Sequence, residues 1–397
     1  MILTADLRMY RHSGIGRYLR NLLPLLLPQL QTDEIHILAS PSVLSGFEGP
    51  HHSSKGKGNS FVGAGLQSRH NSPAENPALA AEGASDWLTD PRVRLIQTQA
   101  PIYTLAEQRL LMTVPHTHLL WVPHFNAPLY RRGPMAVTIH DVAPLALPQI
   151  LSNPIKRAYA KLLIESAVKQ ASAILCVSNF TRDDLATRLD VPTNKMTVTP
   201  PGLDLDWPHT APPHLEDDGT PYLLFVGNVK PNKNLSLLLT AFTSVADKLP
   251  HRLILAGKLH GFGTNDEAVL RQAQSLGDRV RFAGEVNDAV LQHLYAGAAA
   301  LVLPSLYEGF GLPLLEAMSL GCPVLASTAG SLPEVGGNAA LYFDPPSPEE
   351  LAARLLQLQD TTLMDNLRTL GRTRVQAFSF QTCANQTATV MNHLLNP

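Results

Sequence analysis

The chain has 397 residues, of which 45% are hydrophobic and 16% charged. This composition is typical of a globular enzyme and excludes a disordered chain, which would lack the apolar residues needed for a core. A chain of this length exceeds one ordinary hydrophobic core, so we expect two domains. Its net charge is −2, and we expect no nucleic acid among its partners.

The cysteines and the apolar segments bear on the compartment. Cys176, Cys322 and Cys383 are far apart along the chain, which predicts reduced, buried thiols in a cytoplasmic protein and fits no metal site. No apolar run is long enough to span a bilayer, and the N-terminus lacks the pattern of a signal peptide. The first half has a small excess of basic residues. That excess is compatible with scattered surface charge, with binding of an anionic acceptor, or with peripheral contact to the inner face of the cell membrane.

The chain begins with a predicted strand at residues 2–7 and a strongly apolar helix at 18–30. Gly14 and Gly16 lie in the predicted turn between them, and a glycine turn that leads into a helix suits a phosphate group. The dinucleotide fingerprint fails here, because Leu19 stands where its third glycine is required. We therefore do not predict an NAD site.

Residues 40–90 differ from their surroundings. They are dense in Gly, Ser, Pro, Asn and His and show no periodicity. Such a segment buries too little apolar surface to order itself, so we predict a long mobile insertion without regular structure. Its histidines His51, His52 and His70 could suggest a metal, but flexible polar sequence is the interpretation we adopt.

Strands and helices then alternate up to residue 206, which predicts a doubly wound parallel sheet. Ligands of such sheets gather at the carboxyl ends of the strands. Four polar side chains follow predicted strands there: His124, Asn126, His140 and Asp141. The alternative is that His140 satisfies a backbone group at a strand end and that His124 and Asn126 cap a loop.

A polar segment at 207–220 predicts a linker, and a second alternation follows. We therefore predict an N-terminal domain at 1–206, a C-terminal domain at 221–378, and a last helix at 379–397 that is placed to cross back to the first domain. The sequence Asp204-Leu-Asp206 resembles a metal-binding DxD motif, but it follows Pro-Gly at the domain edge. We interpret it as structural.

The stretch 302–327 has the strongest functional pattern. A short apolar strand ends at Pro304, and a loop then leads into a helix that begins at Leu312. The amides of this turn lie at the positive end of the helix, where an anion is stabilised: Phe310, Gly311 and Leu312. Gly309 and Gly311 permit close approach of a ligand. Glu308 and Glu316 flank these amides, which suits a diphosphate between two groups of hydroxyls. An ordinary strand-to-helix turn with two solvated glutamates is the alternative.

Six motifs in order resemble those of the family-four retaining glycosyltransferases, which have the GT-B fold of two Rossmann-like domains around a cleft. The resemblance covers nearly the whole chain except the insertion. The residues of the glycine and lysine loops are similar to those of the polysaccharide and O-antigen mannosyltransferase branch. The motifs are the E-x7-E pair Glu308 and Glu316, the glycine loop at 14–18, the segment 138–141, the Val-Ser-x-Phe at 177–180, the lysine loop at 226–234 and the segment 282–286.

The resemblance implies roles for individual residues. Glu308 would hold hydroxyls of the donor sugar, Glu316 the ribose hydroxyls, and His140 would lie against the sugar ring. Lys233 would neutralise the diphosphate, with help from the helix amides and from the approach of Gly14 and Gly16. The remaining implied contacts are Asn228 and Lys230 toward the donor phosphates, Val286 toward the nucleobase, and His124, Asn126 and Asp141 toward the acceptor. Many relatives carry Arg where this chain has Asn228, so one phosphate cation is missing and Lys230 is its expected substitute.

The function implied is transfer of a hexose to a saccharide or lipid-linked saccharide, and the donor that we expect is GDP-mannose. We expect catalysis without a metal or other cofactor, because lysine and helix amides stabilise the leaving diphosphate. No carboxylate is obviously placed as a nucleophile, which favours front-face displacement. The alternatives are a UDP-glucose transferase, a sugar-nucleotide epimerase of the same architecture, and a nucleotide-sugar binder without activity.

Overall fold

The computed structural model describes residues 1–47, 86–114, 117–151, 153–203, 207, 219–258 and 267–397. Its strands are β1 Ile2–Asp6, β2 Glu34–Ala39, β3 Val93–Gln97, β4 Leu119–Val122, β5 Met135–Ile139, β6 Ala173–Cys176, β7 Met196–Val198, β8 Tyr222–Val226, β9 Arg252–Ala256, β10 Val280–Gly284, β11 Ala300–Leu303, β12 Val324–Ser327 and β13 Ala340–Phe343. Its helices are α1 Ser13–Leu26, α2 Pro41–Phe47, α3 Leu105–Thr113, α4 Ala143–Ala146, α5 Pro154–Gln170, α6 Asn179–Leu189, α7 Leu235–Val245, α8 Glu267–Ser275, α9 Asp288–Gly297, α10 Leu312–Ser319, α11 Leu332–Gly336, α12 Pro348–Gln357, α13 Thr361–Val375 and α14 Phe380–Leu395.

The strands form two sheets in which every pairing is parallel. The first has the order β3-β2-β1-β4-β5-β6-β7, and the second has the order β10-β9-β8-β11-β12-β13. The central strands are continuous apolar runs, and each residue of β4, β5 and β11 is buried. Such runs are required because helices cover both faces of a parallel sheet. The predicted class, two doubly wound α/β domains, is confirmed.

The strand orders also explain where a ligand fits. Each sheet reverses its direction of winding at one place, between β1 and β4 in the first and between β8 and β11 in the second. The loops that leave the carboxyl ends of these four strands diverge and open a crevice. His124 follows β4, Lys233 follows β8 and Glu308 follows β11. The predicted site residues thus lie at the two switch points.

The prediction for the glycine turn was wrong in its detail. Helix α1 begins at Ser13, five residues earlier than expected, so Gly14 and Gly16 belong to its first turn. The Gly16 N–H donates to the His12 carbonyl at 2.6 Å. A Cβ at Gly16 would lie 2.1 Å from the Tyr10 carbonyl oxygen, whereas one at Gly14 would meet nothing within 4 Å. Gly16 is therefore required first by packing inside its own domain.

The predicted insertion at 40–90 is shorter than expected at both ends. Residues 41–47 form α2, in which Val43 enters the core, and Ser40 accepts a hydrogen bond from the Val43 N–H. Residues Asp86–Thr89 form a 3-10 turn, in which Trp87 is 4% exposed and packs near α1. The buried apolar side chains override the polar composition of these ends. The histidines His51, His52 and His70 lie outside the described residues.

The predicted linker contains a buried anchor. Trp207 is 3% exposed, and its indole Nε1 donates to the Ser319 Oγ at 2.9 Å. The ring packs into the core of the second domain, so the first residue of the predicted linker is fixed to that domain. Residues 208–218 and the Asp204–Asp206 motif lie outside the described residues.

Helix α14 lies in the core of the first domain, although the chain reaches it from the second. It packs against α1, and Phe380, Cys383 and Met391 are buried beside Leu3 and Leu22. Asn392 donates to the Gln29 carbonyl at 2.9 Å. The contacts join the end of the chain to its beginning. The predicted boundaries of the domains stay predictions.

The cysteines are buried and carry no disulfide, as predicted: Cys176, Cys322 and Cys383. Within the described ranges, no helix combines the length and apolarity that crossing a bilayer requires.

Candidate active site

Glu308 lies in the loop between β11 and α10 and is already paired. Its Oε1 accepts from the Lys233 Nζ at 2.6 Å and from the Ser305 Oγ at 2.6 Å. The side chains of Glu308 and Lys233 are 13% and 18% exposed. The pair joins the two loops that follow β8 and β11, so the predicted sugar-binding carboxylate and the predicted phosphate-binding lysine lie side by side.

The turn before α10 has the backbone of an anion site. Gly311 is the N-cap, with φ of +97°, and α10 begins at Leu312 as predicted. A left-handed conformation with this φ favours glycine. The first N–H groups of a helix have no acceptor within it and lie at its positive end. Phe310 is 7% exposed, and its ring meets Phe378 edge-to-face at 5.6 Å, so the turn is held rigidly.

This loop contacts the first domain directly. A Cβ at Gly309 would lie 1.8 Å from the His140 carbonyl oxygen. Ser178, the N-cap of α6, donates from its Oγ to the Gly309 carbonyl at 2.7 Å. The two domains therefore meet at the loop that holds Glu308, and glycine at position 309 permits the close approach.

His140 lies at the end of β5 in this contact. Its Nε2 pairs with the Pro123 carbonyl at 3.0 Å, and its ring meets Tyr18 edge-to-face at 4.9 Å. Burial lowers the pKa of His140 to about 4, so the imidazole is neutral at pH 7 and Nε2 carries the proton that it donates to Pro123. The backbone bond predicted as the alternative is present. A role toward the sugar stays a prediction.

Asp141 also has a structural bond, since its Oδ1 accepts from the Ala143 N–H at 2.9 Å at the start of α4. Burial, and to a lesser degree the nearby Glu308, raise the pKa of Asp141, while Lys233 and Lys230 lower it. Its position close to Glu308 places a carboxylate of the first domain at the predicted site of reaction.

His124 and Asn126 pair with each other, the His124 Nδ1 lying 2.7 Å from the Asn126 Oδ1. Burial, followed by the neighbouring His140, lowers the pKa of His124 to about 3. Asn126 is 2% exposed and lies 3.5 Å from the Glu107 Oε1. The loop-capping interpretation is thus satisfied, and the acceptor role is untested by these contacts.

A buried ion-pair network beneath them was missed in the sequence. The Arg8 guanidinium donates to the Asp6 Oδ2 at 2.5 Å and to the Glu107 Oε1 at 2.9 Å. Glu107 also accepts from the N–H of Tyr103, whose φ is +62°. Arg8 and Glu107 are far apart along the chain, so no local pattern joined them.

Lys230, which was expected to contact the donor phosphates, acts electrostatically on a histidine of the first domain. Burial, followed by Lys230 and Lys258, lowers the pKa of His12, which places His12 near two lysines of the other domain. Asn228 uses its Oδ1 to accept from the Lys258 N–H at 3.1 Å, a contact that shapes the loop. Val286 is half-buried against the second core, and its contact with a base stays a prediction.

Glu316 faces the first domain from inside α10. It is 3% exposed, its Oε2 accepts from the Tyr295 hydroxyl at 2.8 Å, and its Oε1 lies 2.8 Å from the Arg17 Nη1. Arg17 stands in the glycine motif at 14–18 but received no role from the sequence. Its partner belongs to the other domain, and only its position inside that motif could have suggested a function.

The described residues contain no group of three or more His, Cys, Asp or Glu side chains that could hold a metal ion.

Two family models match the chain. The model described as glycosyltransferase family 4 matches residues 71–207, and that described as glycosyl transferases group 1 matches residues 220–361. A similar protein is the O-antigen chain mannosyltransferase B of Escherichia coli, 34% identical over 67% of this chain and 71% of the relative. The MMP alpha-(1->4)-mannosyltransferase of Mycolicibacterium hassiacum is 31% identical over 69% of this chain and 67% of the relative.

Solved structures share the fold at low identity. The sucrose-phosphate synthase of Thermosynechococcus elongatus has a TM-score of 0.68 and 18% identity, over 99% of both chains. Anabaena HepE, in complex with UDP and glucose, has a TM-score of 0.68 and 17% identity, over 99% of this chain and 100% of its own. Together with the family models and the relatives, these likenesses establish that the chain belongs to the family-four glycosyltransferases and has the GT-B fold.

Proposed function

We propose that this glycosyltransferase moves mannose from GDP-mannose, with retention of configuration, onto a saccharide or lipid-linked saccharide in polysaccharide synthesis. The observation that carries the proposal is the meeting of the Lys233–Glu308 pair with the N-terminus of α10 at the switch point of the second sheet. The names of the similar relatives support mannose as the sugar.

The chemistry follows from the charges at this point. Breaking the bond between the sugar and the diphosphate builds negative charge on the leaving oxygen. The N–H groups at the start of α10 are fixed in place before the reaction begins, so they can stabilise this charge and lower the barrier in a cleft with little water. Lys233 can turn from Glu308 to the phosphate as Glu308 takes up hydroxyls of the sugar. Lys233 and the amides of α10 supply this stabilisation from the protein itself, so we propose that no divalent metal is required.

Retention is proposed to occur by front-face displacement. Asp141 is a carboxylate of the first domain that lies against the loop of Glu308, but its Oδ1 is engaged at the Ala143 N–H. The acceptor hydroxyl would then attack from the face that the diphosphate leaves, and its proton would pass to a diphosphate oxygen. Trapping of a glycosyl group on Asp141 by mass spectrometry would overturn this step.

Thermal-shift measurements with GDP, UDP and ADP test the donor. A ligand at 100 times its Kd adds ~2.7 kcal/mol to the free energy of unfolding, so GDP should give the largest shift. A larger shift with UDP would identify a UDP-sugar transferase. Release of GDP from GDP-mannose should depend on an added mannose-terminated oligosaccharide. Release of GDP, or isomerisation of the sugar, without an acceptor would support an epimerase. The transferase activity should survive the addition of EDTA.

A further inference from the structure

Arg17 crosses the cleft between the two domains. It lies in the first turns of α1, and its Nη1 is 2.8 Å from the Glu316 Oε1 on α10. The two side chains are 13% and 4% exposed. The guanidinium carbon also lies 4.7 Å from the centre of the Trp207 ring, so the cation is held from a second side.

The contact changes the charge of the proposed donor site. Two carboxylates beside a diphosphate would repel it, because like charges in a partly buried site are weakly screened. Lys233 offsets the charge of Glu308 from the same domain. The charge of Glu316 is offset by Arg17, which belongs to the other domain. Both carboxylates of the donor site therefore have their negative charge offset only when the two domains meet.

The contact also fixes the geometry of the carboxylate. Tyr295 donates to Oε2 and Arg17 to Oε1, so both oxygens of Glu316 are held. An ionised carboxylate has about four lone-pair positions, so each oxygen can still accept from a hydroxyl group. Arg17 and a ribose can thus be bound to Glu316 at the same time, with the carboxylate oriented in advance.

We propose that Arg17 is a positioning residue of the donor site, which orients and neutralises the ribose-binding carboxylate Glu316 across the closed cleft. This inference rests on the proposed role of Glu316 toward ribose. Arg17 then couples closure of the domains to recognition of the ribose of the donor nucleotide.

The test compares the affinity for a nucleoside diphosphate with that for its 2′-deoxy analogue. The pair is GDP and 2′-deoxy-GDP, or UDP and 2′-deoxy-UDP if uridine gives the larger thermal shift, measured by titration calorimetry. We expect Arg17→Met to weaken binding of the ribonucleotide about 10-fold and to reduce the preference over the deoxy analogue at least 3-fold. Arg17→Lys, which keeps the charge, should retain part of both.

Arg20→Met is the matched control. Arg20 lies on the same helix, and its Nη1 is 3.5 Å from the Tyr10 carbonyl within the first domain, so its loss should leave both affinities unchanged. A merely structural ion pair would lower the melting temperature of Arg17→Met while leaving the preference for ribose intact, and that result would overturn the inference.

Glu316→Gln distinguishes failure of the role of Arg17 from failure of the proposed donor site. If this variant keeps the full preference for the ribonucleotide, Glu316 does not bind ribose and the proposed site is wrong. If it loses the preference while Arg17→Met keeps it, the proposed site stands and only the role of Arg17 falls. If no nucleotide of either pair binds the wild type, both are overturned.

Discussion

Carboxylates in the cleft are held by cations and hydrogen-bond donors, and Glu308 is the clearest case. Its carboxylate has a lysine and a serine hydroxyl at 2.6 Å each. A carboxylate held this way is fixed in direction, which suits the binding of sugar hydroxyls. The spacing of Glu308 from Glu316 was evident in the sequence, but the partners of Glu308 were not.

We expect Glu308→Gln to lower kcat about 100-fold, because the neutral amide neither holds Lys233 nor matches the hydroxyls as the charge develops. Steady-state transfer assays measure this. Glu267→Gln is the control, since Glu267 also pairs with a cation, Arg271, at 3.1 Å but is 79% exposed and lies outside the predicted motifs. Equal and small effects of the two substitutions would show that the site lies elsewhere.

The two buried histidines predict how stability depends on pH. Their folded pKa values lie near 4 for His140 and near 3 for His124, below the ordinary value of 6.5. Between the folded pKa values and 6.5, the unfolded chain therefore binds more protons than the folded chain does. The free energy of unfolding is thus highest above pH 6.5 and falls as the pH drops toward 4.

For His140 the loss between pH 6.5 and pH 5 should be on the order of 1 kcal/mol. Urea unfolding at several pH values measures it, and His140→Asn should flatten the profile over this window. An identical pH profile in the variant would mean that the imidazole stays accessible to protons in the folded protein.

At the scale of elements, helix α10 depends on the backbone of its N-cap residue. Gly311 has φ of +97°, and a Cβ there would lie 2.7 Å from the Leu332 Cδ2. Gly133 has nearly the same φ, +102°, but a Cβ there would meet nothing within 4 Å. The two glycines separate backbone strain from crowding.

Gly133→Ala should therefore cost about 1 kcal/mol of stability from strain alone. Gly311→Ala should cost more, and it should also weaken nucleotide binding because the amides of α10 shift. Thermal melts and calorimetric titrations measure the two effects. Our account of the turn fails if both variants bind nucleotide as the wild type does.

The fold at this scale was largely predictable from sequence. Strand runs and helix periods are short-range patterns, and so is the cap of α6, where Ser178 accepts from the Thr181 N–H at 3.0 Å. The error at α1 arose because glycines usually end helices, whereas here Gly16 must fit against the Tyr10 carbonyl. Trp87 and α2 were missed because a polar segment concealed a few core residues.

For the whole molecule, the two domains are joined by hydrogen bonds at the start of α6. The Glu334 carboxylate accepts from the Asn179 and Phe180 N–H groups and from the Asn179 Nδ2, each at 2.8 Å. A carboxylate at a helix N-terminus also interacts favourably with the helix dipole. One glutamate of the second domain thus caps a helix of the first.

We expect Glu334→Ala to favour an open cleft, which small-angle scattering would report as a larger radius of gyration, and to weaken nucleotide binding several-fold. Glu350→Ala is the control, because Glu350 accepts from the Asp344 N–H at 2.9 Å inside the second domain. If the two variants scatter identically, the Glu334 contacts do not hold the domains together.

The sequence by itself determined the two α/β domains, the strand ends that carry the polar residues, and the helix that begins at Leu312. These features depend on periodicity and on turn chemistry within a few residues. The tertiary structure decided the partners: Lys233 for Glu308, Arg17 for Glu316, and α14 for α1. Such partners come from distant segments, because closure of the cleft and the return of the last helix bring together groups that no local pattern relates.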